Sequence, residues 1–235
     1  MNPILRMLVD RHYATDVEDP AQVRAMPVVL RIERSAPPSR TDVLEAAAAA
    51  AVAVCLDERA LPGGEWHDEV VAWVRGRIRK VSRRARGAHW EAVQALPGVT
   101  ITVGTASARA FVPGRVADLP KELSRLQISG SELPPDEPGA VPPGAYELWL
   151  NPRVEMTAGK AAAQVGHASM LLAPRLSETG LKDWAEVDYR CAVRTPSPAD
   201  WDELVARPGV VLVRDAGYTE VAPGTATVAV NHRFA

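Results

Sequence analysis

Two side chains in this chain have the types and settings for acid–base or electrostatic chemistry, Lys160 and Asp215. Lys160 is one of 4 lysines, against 23 arginines, and it lies in the first turn of a predicted helix. Unpaired N–H groups and the positive dipole end favour anions there, so a cation at that place needs a carboxylate or a ligand opposite it. Asp215 follows the apolar run 210–213, which predicts a strand ending at the rim of a sheet, where α/β proteins bind ligands. The two residues are therefore a candidate acid–base and electrostatic pair.

A longer pattern surrounds each of these residues. Residues 156–168 read MTAGKAAAQVGHA, and residues 215–227 read DAGYTEVAPGTAT. Together they resemble the signature of type II peptidyl-tRNA hydrolases, a Gly-Lys-x-Ala-Ala-Gln-x-x-His-Ala helix start followed by an Asp-Ala-Gly-x-Thr hairpin that closes with Pro-Gly-[Ser/Thr]-x-Thr. Both motifs have many fixed positions and occur in the expected order. The resemblance covers residues 146–235 directly.

The resemblance implies an activity and a set of site residues. The implied activity is hydrolysis of the ester between a peptide and the 3′ ribose of tRNA, with peptidyl-tRNA as the partner and with no metal or organic cofactor. Lys160 and Asp215 are the implied catalytic pair. On the predicted helix, Lys160, Gln164 and His167 share one face because they recur at a spacing of three or four residues. The implied substrate-binding residues are Gly159, Gln164, His167, Thr219 and Thr225.

Structural alternatives stay open for these residues and for the whole chain. A lysine can be a solvated surface residue, an Asp before Gly217 can simply form a turn, and a lone helical histidine such as His167 is more often structural. The chain could likewise be a non-catalytic tRNA- or RNA-binding module, or a scaffold with hydrolase ancestry. Binding of tRNA without turnover would distinguish the module from the enzyme.

An internal repeat predicts which elements position the site. Trp73 and Trp90 are 17 residues apart, as are Trp184 and Trp201, and the two pairs are offset by 111 residues. A repeat of this kind indicates two copies of one structural unit. Further matches are LPGV at 96–99 with RPGV at 207–210 and, one residue of slippage later, VPG at 112–114 with APG at 222–224.

The second copy predicts an α/β fold, because predicted strands alternate with helices. The predicted strands are 147–150, 189–194, 210–214 and 225–231, and the predicted helices run from 157 or 159 to about 172 and from 197 or 198 to 206. The last two strands are close enough to be antiparallel, which makes each sheet mixed. Each unit is therefore predicted as a mixed four-stranded sheet flanked by helices in three α/β/α layers.

The predicted boundaries place an extension at 1–25, a degenerate first unit at 26–128, a Pro/Gly-rich linker at 129–145 and the hydrolase-like unit at 146–235. We expect the two units to pack on each other as an intramolecular pseudo-dimer. The alternative is two separate domains on a flexible linker. A further homo-oligomer is left open.

The first unit lacks the residues of the candidate site and is predicted to be catalytically silent. No lysine precedes Lys80, and Gly104 stands at the position that matches Asp215. The run 75–86, RGRIRKVSRRAR, instead holds seven basic residues and no acid. It predicts a surface that follows the phosphate backbone of tRNA, with an Arg-rich solvated strand as the alternative. The candidate backbone-binding residues are Arg79, Arg83, Arg84 and Arg86.

Composition and charge bear on whether the protein binds nucleic acid, a membrane, a metal or a nucleotide. A net charge of −2 limits nucleic-acid binding to a local patch. The longest apolar run, 43–56, is too short to cross a bilayer, and residues 1–10 show no signal-peptide pattern, so we expect a cytoplasmic protein with no membrane partner. Cys55 and Cys191 are expected to be buried and reduced, and the sequence has neither a zinc-site spacing nor a Walker A motif.

Overall fold

The strands form two mixed sheets in a computed structural model that describes residues 2–9, 19–217 and 219–231 of the 235-residue chain. The first sheet contains β1 (Arg24–Arg31), β2 (Arg79–Ala85), β3 (Gly98–Val103), β4 (Ala106–Phe111) and β5 (Gly114–Arg115). The second contains β6 (Tyr146–Leu150), β7 (Cys191–Arg194), β8 (Val211–Arg214) and β9 (Ala226–Val230). The predicted α/β architecture of two similar units is confirmed.

Helices flank both sheets. They are α1 (Pro3–Val9), α2 (Arg40–Leu56), α3 (His67–Arg75), α4 (Gly87–Val93), α5 (Lys121–Ser124), α6 (Ala158–Leu172), α7 (Glu178–Glu186) and α8 (Pro198–Ala206). The long helices α2 and α6 each follow the first strand of their unit, begin at a hydroxyl N-cap and are rich in alanine, which favours a helix.

The two sheets have the same topology. The strand order is β2-β1-β4-β3 in the first sheet and β7-β6-β9-β8 in the second. In both, the first two strands of the unit are parallel and the last two are antiparallel. The first sheet has one strand more than predicted, because the two-residue β5 adds to the start of β1.

The units pack on each other through α2 and α6, with an approximate twofold relation. The N-caps of these helices are Ser39 and Thr157, so residues 48 and 51 of α2 correspond to 166 and 169 of α6. Gly166 lies against the Ala51 methyl group, where an added Cβ would be only 3.1 Å away. Reciprocally, the Ser169 hydroxyl donates to the Ala48 carbonyl at 2.7 Å. One continuous hydrophobic core contains residues of both units, which supports the pseudo-dimer.

Each central helix also reaches the edge strand of the other unit. Glu45 of α2 accepts a hydrogen bond from the Val193 N–H of β7 at 2.9 Å. On the other side, Lys80 of β2 lies 3.1 Å from the Nδ1 atom of His167 on α6. The first unit therefore forms part of the surroundings of the second unit's principal helix.

Tryptophans mark the same place in both units, as the repeat predicted. The Trp73 indole donates to the Arg79 carbonyl at 2.9 Å, and the Trp184 indole donates to the Arg190 carbonyl at 2.7 Å. In each unit this bond ties the second helix to the strand that follows it.

One detail of the sequence alignment is wrong, and one helix was not predicted. The VPG segment 112–114 follows β4, whereas APG at 222–224 precedes β9, so the two segments are not equivalent. The cause is a difference in connection, because a tight turn at 104–105 joins β3 to β4 while residues 215–225 join β8 to β9. The second helix of the C-terminal unit, α7, was also not predicted, since Gly180 and a polar face obscure its pattern.

The predicted extension and linker have parts with defined structure. Residues 10–18 lie outside the described residues, but Ile4 and Leu5 of α1 are fully buried in the shared core, and β1 already begins at Arg24. In the linker, Ser131 and Leu133 are buried.

Cys55 and Cys191 are free and buried, as predicted. Burial raises the pKa of the Cys55 thiol to about 12 and raises that of Cys191 as well. In the part of the chain that the structure describes, no helix combines the length and apolarity that a membrane crossing requires.

Candidate active site

The start of α6 fixes Lys160 at the carboxyl edge of the second sheet. Thr157 caps the helix, and its hydroxyl accepts the Lys160 N–H at 3.1 Å. The helix follows β6 directly, so its first turn lies at the edge where β6 and its parallel neighbour end. The cap aims the lysine side chain toward the connection between β8 and β9.

That connection presents Asp215 in a fixed orientation. The Asp215 Oδ1 atom accepts the Gly217 N–H at 2.8 Å, which is an Asx turn. Gly217 has φ +81°, and an added Cβ would lie 2.5 Å from Pro223, so only glycine fits this position. Main-chain bonds from Asp215 N to Thr225 O at 2.9 Å and from Gly224 N to Asp215 O at 2.7 Å close the loop.

The two predicted residues meet at this edge. The Lys160 ammonium lies 2.5 Å from the Asp215 Oδ2 atom and donates to the Thr219 hydroxyl at 2.9 Å. The Lys160 side chain is 11% exposed and the Asp215 side chain 5%, whereas Thr219 is exposed. The ion pair is thus largely desolvated but lies directly beneath the surface, which strengthens its charge–charge interaction and leaves an approach for a substrate.

Gln164 completes the ring of donors around the carboxylate. Its Nε2 atom donates to Asp215 Oδ2 at 2.9 Å, and its Oε1 atom accepts from the Thr227 hydroxyl at 2.6 Å. Thr227 is fully buried on β9, so its bond fixes which way the amide points. The carboxylate therefore receives three donors, Lys160, Gln164 and the Gly217 N–H, and charge-assisted bonds of this kind hold it rigidly.

Two of the first amides of α6 are already occupied. The Gly159 N–H donates to the Ser131 hydroxyl at 3.0 Å, and the Lys160 N–H donates to its Thr157 cap. Ser131 comes from the predicted linker and is buried against the helix start. The positive charge offered at this edge is therefore chiefly the ammonium group of Lys160 and not a set of vacant helix amides.

A second layer of contacts ties the helix start to the loop and to the first unit. Glu220 accepts from both the Thr157 N–H and the Thr157 hydroxyl, at 2.9 and 2.8 Å. Arg40, at the start of α2, donates to the Met156 carbonyl at 2.8 Å and to the Leu133 carbonyl at 3.2 Å. Burial lowers the pKa of Arg40, while the charges of Asp136 and Glu220 act to raise it.

His167 is on the predicted helix face but is directed toward the first unit. Its Nδ1 atom lies 3.1 Å from the ammonium of Lys80, and that ammonium also lies 5.1 Å from the centre of the Trp73 ring. His167 is one helical turn beyond Gln164, which itself contacts the carboxylate. The edge strand β2 is thereby placed alongside the helix that carries the candidate pair.

The predicted tRNA-binding arginines lie on and just after β2, and two of them contact their own chain. Arg83 donates to the Leu126 carbonyl at 2.7 Å and the Ser124 carbonyl at 3.3 Å. Arg84 donates to the Ser129 carbonyl at 3.0 Å and also bonds to Gln127. Arg79 and Arg86 are partly exposed at the two ends of this strand.

Sequence reasoning missed several of the supporting residues. Thr225 was named as a supporting hydrogen-bonding residue, and the structure shows its main-chain carbonyl accepting from Asp215, whereas the hydroxyl that fixes Gln164 belongs to Thr227. Thr227 is also the last residue of the Pro-Gly-[Ser/Thr]-x-Thr motif, which is a signal that could have found it. Arg40 and Ser131 carry no such signal, because they are remote in sequence from the residues that they hold. Among the described residues, no cluster of three or more metal-ligating side chains occurs.

Fold and site together define a mixed-sheet α/β unit with a lysine–carboxylate centre at the start of its principal helix. The family model described as "Peptidyl-tRNA hydrolase PTH2" matches residues 147–231. A curated peptidyl-tRNA hydrolase from Methanopyrus kandleri is 37% identical over 83 residues, which cover 32% of this chain and 71% of that protein. The chain belongs, through its C-terminal unit, to the type II peptidyl-tRNA hydrolase family.

The family match begins at residue 147 and does not reach the first unit. No solved structure gives a significant match to the chain. The likeness of the first unit to the family therefore depends on the shared topology of the two sheets and on the repeat within the sequence.

Proposed function

We propose that the protein is a peptidyl-tRNA hydrolase that cleaves the ester between a peptide and the 3′ ribose of tRNA, a reaction that recycles tRNA in the cytoplasm. The observation that carries this proposal is the contact of Lys160 with Asp215 beneath the exposed Thr219, at positions that match the family motif. Family membership supports a hydrolase, and the pair beneath Thr219 supplies groups that ester hydrolysis needs.

In this proposal Asp215 orients the attacking water. Its Oδ2 atom accepts from Lys160 and Gln164 and its Oδ1 atom from the Gly217 N–H, so the carboxylate is held in one position as an acceptor for a water O–H. The water oxygen, with Asp215 orienting the water or taking its proton, adds to the ester carbonyl carbon, and the bond to the ribose oxygen breaks. Of the two protons that the water gives up, one ends on the ribose oxygen and the other is released to solvent. The products are a peptide carboxylate and a tRNA with a free 3′ hydroxyl group.

Lys160 stabilises the negative charge that develops on the carbonyl oxygen. Its ammonium already donates to Asp215 and Thr219, and one of those N–H groups can turn to the oxyanion when a substrate displaces Thr219. The alternative is that Lys160 grips the terminal phosphate of tRNA. Because the first amides of α6 are occupied by Ser131 and Thr157, either role falls on the side chain of Lys160.

The test is turnover of purified peptidyl-tRNA under single-turnover conditions. The wild-type protein should release peptide, and Lys160→Ala should lower the rate constant at least about 100-fold. Lys182→Ala, which removes an exposed lysine from α7, is the matched control and should leave the rate unchanged. Binding of tRNA with no turnover by the wild-type protein would instead support the RNA-binding module and overturn the hydrolase.

We further propose that Arg79 and Arg86, with Arg83 and Arg84 between them, contact the tRNA backbone. The support is the position of β2 beside α6, shown by the contact of Lys80 with His167. Each arginine that neutralises a phosphate should contribute about 0.7–0.9 to the slope of log K against log salt. The double variant Arg79→Gln/Arg86→Gln should therefore flatten the slope, whereas Arg34→Gln, at an exposed arginine off this strand, should not. An unchanged slope would remove β2 from the tRNA path.

A further inference from the structure

The outer faces of the two sheets, which point away from α2 and α6, are equivalent position by position. Val29 of β1 pairs with Arg83 of β2 and Arg109 of β4. Trp149 of β6 has the same place in its sheet, because it pairs with Arg194 of β7 and with Ala229 of β9. The residues two positions beyond these partners can therefore be matched between the two units. The helices α4 and α8, which pack on this face, can be matched in the same way.

In the first unit this outer face is covered by the chain itself. A separate hydrophobic cluster contains Val29, Ala85, Trp90, Val93, Phe111 and, at its margin, Leu96. The cover is the segment 119–126, which contains α5 and packs Leu119, Leu123 and Leu126 on the cluster. Only Leu123 lies within α5, because Leu119 precedes the helix in extended backbone and Leu126 follows it.

In the second unit the matching positions line an open groove of about 670 Å³. Five residues that line the groove occupy positions equivalent to cluster residues of the first unit. The equivalent pairs are Trp149 and Val29, Pro196 and Ala85, Leu204 and Val93, Arg207 and Leu96, and Asn231 and Phe111. Trp201, the counterpart of Trp90, is buried beside it under α8. Among the described residues, no segment of this chain covers the groove as 119–126 covers the first unit.

The charges at the groove complement those of the covering segment. Glu147, Asp183 and Asp200 line the groove, against Arg175 and Arg207, so the lining has one more acid than base. The segment 119–126 reads LPKELSRL, with two bases and one acid. A segment of the same kind would therefore meet both apolar surface and charges of opposite sign.

We propose that this groove is a docking site for a partner protein, which inserts a short segment like 119–126, with three leucines spaced i, i+4, i+7 around a single helical turn and basic residues beside them. The pseudo-twofold relation identifies the kind of occupant, since the protein already docks such a segment on the equivalent face of its first unit. The residues that line the groove include neither Lys160 nor Asp215, so docking leaves the edge that holds this pair uncovered.

The experiment uses the full chain with ¹⁵N-labelled tryptophan and a synthetic peptide of residues 116–128. The indole N–H signal of Trp149 should shift in a saturable way with peptide up to about 1 mM, a range suited to a segment that must become ordered on binding. A peptide with Leu119→Ser, Leu123→Ser and Leu126→Ser should give no such shift. The double variant Glu147→Lys/Asp183→Lys should weaken binding at least about threefold, and Asp68→Lys/Glu91→Lys, at exposed acids of the first unit, should not.

Three results would overturn the proposal. They are no saturable shift at Trp149, an equal shift with the serine peptide, or a shift confined to Trp90, which would show that the peptide competes for the first unit instead. The peptide variants leave the protein unchanged, so the leucine comparison holds even if a groove variant fails to fold. Turnover of peptidyl-tRNA is not part of the readout, so failure here is separable from failure of the proposed hydrolase.

Discussion

The starts of the two central helices differ in the residues that the proposed chemistry needs. Ser39 caps α2 as Thr157 caps α6, and the residue three positions later is Asp42 in the first unit and Lys160 in the second. Asp42 accepts from the Thr105 N–H at 2.9 Å and from the Thr105 hydroxyl at 3.0 Å. At this position the first unit therefore has a carboxylate that binds a turn, Asp42, and the second unit has an ammonium that binds a carboxylate, Lys160.

The difference continues along the helix and across the loop. Gln164 and His167 correspond to Ala46 and Ala49, both fully buried in the core. Opposite them, the first unit has only the tight turn at 104–105 where the second has the loop 215–225. The two units therefore differ by a few polar replacements on one helix face and by a longer connection between two strands, while the packing of helices on the sheet is retained.

The first unit has nevertheless kept contacts with the site of the second. Arg40 bonds to the Met156 carbonyl just before α6, and Glu45 bonds to the edge of β7. We infer that the silent unit acts as a support, which holds the helix start and the edge strand in place. Three variants, Gln164→Ala, Arg40→Met and Glu45→Gln, test this division between chemistry and support, in order of decreasing expected effect.

Gln164→Ala gives the second unit the residue of the first and should cause the largest loss of the three. It removes a hydrogen bond to the Asp215 carboxylate, and such a bond to a charged group contributes about 1.5–3 kcal/mol. The Thr227 hydroxyl has the Val213 carbonyl as an alternative acceptor at 3.2 Å, so the loss falls mainly on Asp215. The single-turnover rate constant should decrease about 10- to 100-fold.

The matched control for that change is Gln94→Ala in the first unit. Gln94 accepts from the Thr100 hydroxyl at 2.8 Å, so its removal also breaks a side-chain bond, but far from the candidate pair. Turnover should be unchanged. Equal losses of rate in the two variants would mean that Gln164 acts through stability alone.

Arg40→Met tests whether the first unit supports the site. The change leaves the Met156 and Leu133 carbonyls without their donor, which should lower the free energy of unfolding by about 1–3 kcal/mol. The rate constant at saturation should decrease about three- to tenfold, with a smaller change in KM, and Arg40→Lys should restore part of it. Urea unfolding and single-turnover kinetics measure the two effects, with Arg34→Met as the exposed control. A loss of stability with a normal rate would show that the contact is structural only.

Glu45→Gln should have the smallest effect, visible as a change in the pH dependence of stability. Burial raises the pKa of Glu45, although the bond from Val193 N–H and the charge of Arg194 oppose this. A raised pKa means that the folded state binds more protons than the unfolded state, so this contribution to stability is present below the ordinary glutamate pKa and is lost as pH rises through the raised value. The difference in free energy of unfolding between wild type and variant should therefore change with pH across that window.

The control for this prediction is Glu91→Gln, which removes an exposed acid of the first unit. Its stability curve should run parallel to that of the wild type. Parallel curves for Glu45→Gln as well would mean that Glu45 titrates in the folded protein as it does in the unfolded chain.

The sequence predicted the parts of the site that depend on local pattern. Thr157, with the alanines after it, is typical of a helix start, and an Asp after an apolar run and before Gly217 is typical of a strand end and turn. These local rules were enough to place Lys160 and Asp215 on neighbouring elements. The alternation of strands and helices was enough for the fold class.

The remaining features depend on contacts between distant parts of the chain. Arg40 and Met156 are 116 residues apart, and Glu45 and Val193 are 148 apart, so no local pattern connects them. The misaligned VPG and APG segments have a similar cause, because the longer loop of the second unit shifts all later positions. A repeat can be found by its tryptophans and still be aligned wrongly where one copy has a longer loop.

The central claim is that chemistry belongs to the second unit and that Asp215 takes part in it directly. Single-turnover cleavage of peptidyl-tRNA by Asp215→Asn and by Asp42→Asn tests it, because both changes replace a carboxylate that accepts hydrogen bonds in corresponding parts of the two units. We predict a decrease of at least about 100-fold for Asp215→Asn and a rate within about twofold of wild type for Asp42→Asn. Normal cleavage by Asp215→Asn, or an equal loss in both variants, would contradict this account.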